Sequence, residues 1–91
     1  MYVKWTSKSH SDLLRLYEFL ASVNKVAALR VVKQLTAAPI QLLKNPRMGE
    51  QLEEFMPKEV RRLIIGDYEL RYEIQTSTLY VLRIWHTREN R

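Results

Sequence analysis

The spacing of apolar residues predicts two helices in the first half of the chain. The first stripe recurs at i, i+3, i+4 and i+7 and consists of Leu13, Leu16, Tyr17 and Leu20. The preceding polar segment ends in Ser9 and, three residues later, Asp12, a spacing that resembles a capping box. We therefore expect the first helix to begin at Ser9, with the Asp12 carboxylate near the positive end of its dipole.

A second helix follows at once, with Asn24 as its predicted N-cap. Its apolar positions keep helical spacing and are Ala28, Leu29, Val32, Leu35, Pro39, Leu42 and Leu43. Because proline lacks the backbone N–H and clashes with the preceding turn, we predict a kink or break at Pro39. Two neighbouring amphipathic helices with a tight connection form an antiparallel hairpin.

Extended segments account for most of the remaining chain. A short alternating run predicts a first strand over Tyr2–Trp5, and Lys44–Gly49 has the composition of a loop. Three further strands are predicted at 60–65, 68–75 and 79–86, with Gly66 and Asp67 forming the turn between the first two. The chain of 91 residues is short enough to be a single domain, residues 1–91.

The last two strands allow a prediction of register. Their apolar faces are Tyr68, Leu70, Tyr72 and Ile74 in one strand, and Tyr80, Leu82, Ile84 and His86 in the other. An odd-numbered loop, Thr76–Thr78, brings these two faces together and sets Arg71 roughly opposite Arg83 on the other side of the sheet. That side is either a binding surface or a solvated face on which Glu69 and Glu73 pair with the arginines.

Composition narrows the class of protein. There is no cysteine, which excludes a disulfide scaffold, a thiol nucleophile and a Cys-ligated zinc site. No apolar stretch approaches the roughly 20 residues of a membrane span, and the N-terminus lacks the pattern of a secretory signal, so we expect a cytoplasmic protein without membrane contact. The net charge of +5, from 15 basic and 10 acidic residues, favours an anionic partner: nucleic acid, a ribosome or an acidic protein.

Every basic residue after Lys58, histidine aside, is an arginine. These residues are Arg61, Arg62, Arg71, Arg83, Arg88 and Arg91. The planar guanidinium pairs bidentately with phosphate or carboxylate, so this segment favours recognition of an anion. Surface ion pairs with the interleaved acidic residues are the alternative interpretation.

Candidate chemistry is sparse. The sequence has no P-loop, no dinucleotide fingerprint and no metal-ligand spacing, and it predicts no cofactor and no metal. His10 is expected to be a capping or surface residue. His86, close to Arg88, is either a general acid/base for a phosphodiester or a residue at the rim of the core. Four aromatic residues suit base stacking: Tyr68, Tyr72, Tyr80 and Trp85. The first three belong to the predicted core face, which favours a structural use.

The ordered motifs of the second half resemble the RelE/ParE toxin superfamily. They are a leucine-rich helix end with a Pro-x-x-Gly loop (LLKNPRMG, 42–49), an Arg before an apolar strand and a Tyr-x-x-Arg-Tyr strand (60–74), and a last strand that finishes in His with Arg close behind (80–88). The resemblance implies an α+β fold, in which an N-terminal strand and an antiparallel helical hairpin combine with a small twisted antiparallel sheet that the hairpin covers. It also implies a cognate antitoxin whose C-terminal segment wraps the apolar grooves of the toxin in a hetero-oligomer.

The superfamily contains two mechanisms. ParE-type toxins bind DNA gyrase, trap its cleaved-DNA state and stop replication without being enzymes, whereas RelE-type toxins cleave mRNA on the ribosome. The ending His86-Thr87-Arg88 is similar to the His-x-Arg ending of ParE-type chains, which favours gyrase as the target. On that interpretation no residue is catalytic, and the candidates for target binding are Arg61, Arg62, Arg71, Arg83, Trp85, His86 and Arg88.

As a ribonuclease, the chain would use Arg62, Arg71 and His86, with Glu53 or Glu54 as the acid. Direct DNA binding as a regulator is a third class, resting only on the charge.

Overall fold

The computed structural model describes residues 1–89, so Arg91 lies outside the described residues. It contains two helices, α1 (Ser7–Ala21) and α2 (Lys25–Leu42). Five strands complete it: β1 (Tyr2–Trp5), β2 (Glu50–Gln51), β3 (Glu59–Ile65), β4 (Tyr68–Ile74) and β5 (Thr78–His86). The predicted α+β class and order of elements are confirmed. The sequence pattern did not indicate β2 or the two 3-10 turns, Pro46–Met48 and Glu53–Phe55.

The strands form one sheet in the order β1-β5-β4-β3-β2. All neighbours are antiparallel except β1, which runs parallel to β5. The sheet is thus mixed rather than wholly antiparallel as expected. A parallel pair needs a long connection, and here both helices and three strands separate the two partners in the chain.

The α1 helix begins earlier than predicted. Its N-cap is Thr6, whose Oγ1 accepts a hydrogen bond from the Ser9 backbone N–H at 3.1 Å, while Ser9 Oγ donates to the Thr6 carbonyl at 2.9 Å. The prediction of Ser9 as the cap was wrong because Thr6 caps the helix about one turn earlier, by accepting from the Ser9 N–H itself. The prediction for α2 is confirmed, since Asn24 Oδ1 accepts from Ala27 N at 3.1 Å.

Pro39 does not end α2, which continues to Leu42. The proline removes one backbone donor in the last turns of the helix, and its ring is buried within the fold. Of the predicted kink or break, the break is wrong, because packing of this segment outweighs the loss of one helical hydrogen bond.

Both helices cover one side of the sheet, which we call the inner face; the uncovered side is the outer face. The core between them consists of Leu16, Leu35, Ala38 and Leu42 from the helices, with Tyr68, Leu70, Tyr72, Leu79, Val81 and Ile84 from β4 and β5. This packing confirms that the helical hairpin lies against the sheet.

The β4–β5 hairpin contains a bulge that the sequence did not predict. Leu70 faces Ile84 and Arg71 faces Arg83, as expected, but Tyr72 faces Val81, so that Leu82 is the extra residue. The Gln75 N–H donates to the Thr78 carbonyl at 2.9 Å, and the turn is therefore Thr76-Ser77 rather than a three-residue loop. Because one extra residue reverses the alternation, Leu79 and Val81 enter the core in place of Tyr80 and Leu82.

The beginning of α1 also provides hydrogen-bond partners for the backbone groups of β5 that lie beyond the end of β1. Pairing between β1 and β5 stops at Trp5 and Val81. Thr6 N and Oγ1 then donate to the Val81 and Leu82 carbonyls at 3.1 and 3.0 Å, and Asp12 Oδ2 accepts from Ile84 N at 2.9 Å. Asp12 is thus a buried bridge between the helix and the strand.

None of the helices within residues 1–89 has the length and apolarity needed to cross a bilayer.

Candidate functional site

Three arginines lie side by side on the outer face. Arg62 of β3 faces Arg71 of β4, which in turn faces Arg83 of β5. Side chains directly opposite in antiparallel strands share a face and have Cβ atoms about 4.5–5.5 Å apart. We call Arg62, Arg71 and Arg83 the arginine row; their side chains are 37%, 21% and 36% exposed.

The neighbouring row contains Ile64, Glu69 and Trp85, one from each of the same strands. The Glu69 side chain is only 1% exposed although neither α1 nor α2 covers this face. Its Oε2 accepts from Arg71 Nη2 at 3.1 Å, and its Oε1 lies 3.7 Å from Arg62 Nη1. A buried carboxylate between two guanidinium groups fixes both of them in place and offsets part of their mutual repulsion.

Aromatic rings support the arginine row from the side. The Cζ atom of Arg71 lies 4.7 Å from the centre of the Trp85 ring and 5.5 Å from that of Phe55, and the Cζ atom of Arg83 lies 5.0 Å from Trp85. These distances fall within the range of cation–π attraction. Phe55 reaches the outer face because its segment is held there by the Leu52 N–H, which donates to the Val60 carbonyl at 2.8 Å.

Three of the four aromatic candidates are therefore structural rather than a stacking platform, and Tyr80 lies half-buried on the outer face opposite Glu73. Tyr68 and Tyr72 are buried in the core, and Trp85 is buried beneath the arginine row. This agrees with the structural use that their pattern favoured for most of them.

Arg83 is fixed by a second carboxylate. Its Nε donates to Asp12 Oδ2 at 2.8 Å and its Nη2 to Asp12 Oδ1 at 3.2 Å. Burial by itself would raise the pKa of Asp12, but the hydrogen bonds from Arg83 and from Ile84 N outweigh it, so the pKa lies below its ordinary value. Asp12 is consequently ionised near neutral pH and compensates the Arg83 charge.

The structure confirms the ion pairs of the outer face, and its use as a binding surface stays a prediction. Each member of the arginine row has a carboxylate within 4 Å, and Arg62 Nε donates to Glu50 Oε1 at 2.8 Å. The partners of Arg71 and Arg83 are buried, whereas the Glu50 side chain is 65% exposed. A guanidinium has five N–H donors, so these pairs leave further donors on each arginine. The row is thus a fixed set of hydrogen-bond donors. Of its carboxylate partners, the exposed Glu50 is the one that another anion would displace most easily.

His86 does not join Arg62 and Arg71. It faces Tyr68 on the inner face, where the two rings meet edge to face at 5.3 Å, and it lines an apolar groove of about 460 Å³ with Leu16, Phe19 and Leu20. The imidazole is therefore on the opposite side of the sheet from the arginine row. The sequence register already placed it there, and the bulge at Leu82 leaves that placement unchanged because it precedes Arg83.

The other candidates are dispersed. Arg61 points to the inner side, where its Nη1 donates to the Gly49 carbonyl at 2.7 Å and its Nε to Glu59 Oε2 at 2.9 Å, so it holds the 46–51 segment. Arg88 is exposed just after β5, and its backbone N–H donates to His86 Nδ1 at 3.1 Å. Glu53 and Glu54 are exposed in the second 3-10 turn.

The arginine row has a supporting set that sequence reasoning did not assign to it. Asp12 was interpreted as a capping residue, and Phe55 was not among the candidate residues. The pairing of Arg62 with Arg71 follows from the turn at Gly66, which has φ of +59°, and Arg71 in turn faces Arg83. That turn was predicted, and extending its register across β3 would have located the complete row. Within residues 1–89 there is no cluster of metal-binding side chains.

Two comparisons with known proteins return matches. Residues 3–91 match the family model described as the ParE toxin of the type II toxin–antitoxin system parDE. Among solved structures, "Chromosomal ParDE TA system from P. aeruginosa" superposes with a TM-score of 0.76 at 22% sequence identity, covering 94% of this chain and 95% of that one. No curated protein sequence matches.

Proposed function

Because the chain belongs to the ParE toxin family of type II toxin–antitoxin systems, we propose that it arrests growth by binding DNA gyrase and blocking replication, and that a cognate antitoxin neutralises it. The observation that carries the proposal is the arginine row. Arg62, Arg71 and Arg83 form a fixed line of donors on the sheet face opposite α1 and α2, stabilised from within by Glu69, Asp12 and Trp85.

Such a surface suits binding rather than catalysis. A general acid/base needs a titratable group within hydrogen-bond reach of the reacting atoms. Neither histidine of the chain belongs to the row, since His86 lies on the inner face and His10 in α1. Glu69 is buried and already engaged by two guanidinium groups. This arrangement supports a non-enzymatic inhibitor in preference to the mRNA ribonuclease that Arg62, Arg71 and His86 would form.

The row also defines the chemistry of its target. Guanidinium groups recognise carboxylate or phosphate through paired hydrogen bonds. Both are available on a gyrase–DNA complex, as acidic side chains of the enzyme and as phosphates of the bound duplex. The net charge of +5 adds a long-range attraction to such a surface. An inhibitor of gyrase acts in the cytoplasm, which agrees with the expected location.

The experiment that tests the proposal follows which process stops first after induction. Inhibition of gyrase predicts that DNA synthesis falls and DNA-damage signalling rises while messages remain intact by primer extension. Message cleavage before any fall in DNA synthesis would overturn the gyrase target and support the ribonuclease alternative. Growth without arrest would remove toxicity itself from the proposal.

A further inference from the structure

A groove opens between α1 and the inner face of the sheet, at the end where β4 begins and β5 finishes. We call it the α1 groove, and its volume is about 460 Å³. One wall is built from residues that lie one helical turn apart on α1, Arg15 with Phe19 and Leu16 with Leu20. The other wall includes Tyr68 and His86, which face each other across β4 and β5. The volume falls within the roughly 300–1,000 Å³ that small-molecule sites occupy.

The surface of the α1 groove is mostly apolar. Leu16 and Tyr68 belong to the hydrophobic core and also line the groove, and Leu20 packs against the same core. Phe19 lines the groove as well, although its side chain is 71% exposed. An apolar ligand in the groove would remove this ring and the surface around it from water, which is favourable. The groove therefore suits a ligand with an apolar body.

Arg15, His86 and Glu89 supply the polar chemistry of the groove. Arg15 Nη1 donates to Glu89 Oε1 at 2.8 Å, and a guanidinium has five N–H donors in all. The Arg88 backbone N–H donates to His86 Nδ1 at 3.1 Å, so the neutral imidazole carries its proton on Nε2, which is a further donor. Glu89 is positioned by its backbone N–H, which donates to the His86 carbonyl at 3.0 Å. Arg15 thus already binds a carboxylate, one that the chain itself provides.

We infer that the α1 groove is a binding site for a small organic acid, an aliphatic or aromatic carboxylate whose head group replaces the Glu89 carboxylate on Arg15. The Arg15 and Glu89 side chains are 47% and 29% exposed, and exposed ion pairs contribute little to stability, so a second carboxylate displaces Glu89 at small cost. The apolar body of the ligand lies against Leu16, Leu20 and Tyr68, and its burial supplies the affinity. The inference goes beyond the proposed function and depends on neither gyrase nor an antitoxin.

Charge selects an acid over an amine with the same apolar body. An ammonium group would pair with Glu89, but it would lie next to the Arg15 guanidinium and would approach a chain with a net charge of +5. A carboxylate instead gains charge-assisted hydrogen bonds from Arg15 and is attracted by the net charge. The groove therefore discriminates between ligands by the sign of their charge.

The test compares octanoate with octylamine, which have chains of the same length and head groups of opposite charge. Binding to the folded full chain is measured by isothermal titration calorimetry near pH 7, and NMR titration locates the bound ligand. We expect saturable binding of octanoate with a Kd on the order of 1 mM or below, and binding of octylamine at least about tenfold weaker. Chemical shifts should change at Leu16 and Leu20 and stay constant at Leu63, which lines a separate apolar groove beside β3.

Three variants test the exchange of carboxylates at Arg15. Arg15→Gln should weaken octanoate binding about tenfold, because it removes the charged donor. Arg30→Gln removes the same charge from an exposed position of α2 and should change the affinity less than about twofold. Glu89→Gln should strengthen octanoate binding about threefold, because the ligand no longer competes with a carboxylate of the chain. Circular dichroism checks that each variant is folded.

Each part of the inference has its own contrary result. Absence of saturable octanoate binding, or equal shifts at Leu16 and Leu63, would overturn the site, and octylamine bound as tightly as octanoate would overturn the class of ligand. Equal losses in Arg15→Gln and Arg30→Gln, or unchanged affinity in Glu89→Gln, would overturn the role of Arg15. If Arg15→Gln does not fold, the Glu89→Gln variant and the comparison of the two ligands decide. These measurements involve neither growth arrest nor supercoiling, so the groove and the proposed function are tested separately.

Discussion

Arg83 on the last strand and Asp12 on the first helix form a two-point ion pair, with N–O distances of 2.8 and 3.2 Å. The same carboxylate accepts the Ile84 backbone N–H at 2.9 Å. The helical layer therefore fixes one end of the arginine row on the opposite side of the sheet. The buried Asp12 therefore links the position of α1 to the geometry of the candidate binding face.

Replacing Asp12 with Ala should destabilise the protein by about 2–4 kcal/mol, because it leaves the Ile84 N–H and the Arg83 charge without their acceptor. The free energy of unfolding in urea measures the loss. Asp67→Ala is the control, since this carboxylate is exposed in a turn and the change should cost within about 0.5 kcal/mol. Equal stability of the two variants would show that the Asp12 bridge contributes nothing.

Stability should also depend on pH through this carboxylate. Because the folded state lowers the pKa of Asp12, the unfolded chain binds more protons at acid pH. The Asp12 contribution is present above the ordinary carboxyl pKa of about 4 and is lost as the pH falls through the folded value. The pKa of Glu59 is lowered too, as hydrogen bonds from Arg61 and Arg47 outweigh its burial. Urea unfolding from pH 7 to pH 3 should show falling stability with a shallower slope in Asp12→Asn, and identical slopes would contradict the assignment.

The Tyr72 hydroxyl holds the loop before β2 against the sheet. It accepts from the Gly49 N–H at 3.0 Å and donates to the Pro46 carbonyl at 2.7 Å. Tyr72→Phe should cost about 1–3 kcal/mol, because the Gly49 donor is left buried and unpaired. Tyr80→Phe, at a hydroxyl with no hydrogen bond among residues 1–89, is the matched control in thermal unfolding.

Gly49 should tolerate no side chain. A Cβ atom there would lie 2.6 Å from both the Arg62 carbonyl oxygen and the Tyr72 hydroxyl, so the loop would have to move away from β3. We expect Gly49→Ala to lower the melting temperature and to speed exchange of the Leu52 amide, which bonds to Val60. Native exchange at Leu52 in the folded variant would show that the loop accommodates the methyl group.

Arg62 is the member of the arginine row best suited to a functional test. Its pair with Glu50 is exposed, and the buried Glu69 keeps its hydrogen bond from Arg71, so Arg62→Gln should cost little stability. We expect it to weaken gyrase inhibition at least fivefold. Arg30→Gln removes the same charge from an exposed position of α2 and should keep the inhibition of the unsubstituted chain. Equal losses in both variants would indicate an effect of net charge rather than of the row.

The order of elements and the helix–sheet packing could be predicted because apolar periodicity is local. Asn24 lies next to the helix that it caps, and Arg71 lies opposite Arg83 by strand alternation alone. The Leu82 bulge could not be foreseen, since a two-residue turn plus one extra residue gives the same distal register as the longer loop that the pattern favoured. Asp12 was assigned to a local cap because its partners, Arg83 and Ile84, lie 71 and 72 residues away in the chain.

The measurement that tests the central claim most directly is supercoiling of relaxed plasmid by purified gyrase in the presence of this protein. Inhibition by the unsubstituted chain, recovery of supercoiling with Arg62→Gln and retained inhibition with His86→Ala are the predicted results. Full supercoiling at a large molar excess of the folded chain would contradict the account, as would a requirement for His86 with no effect of Arg62.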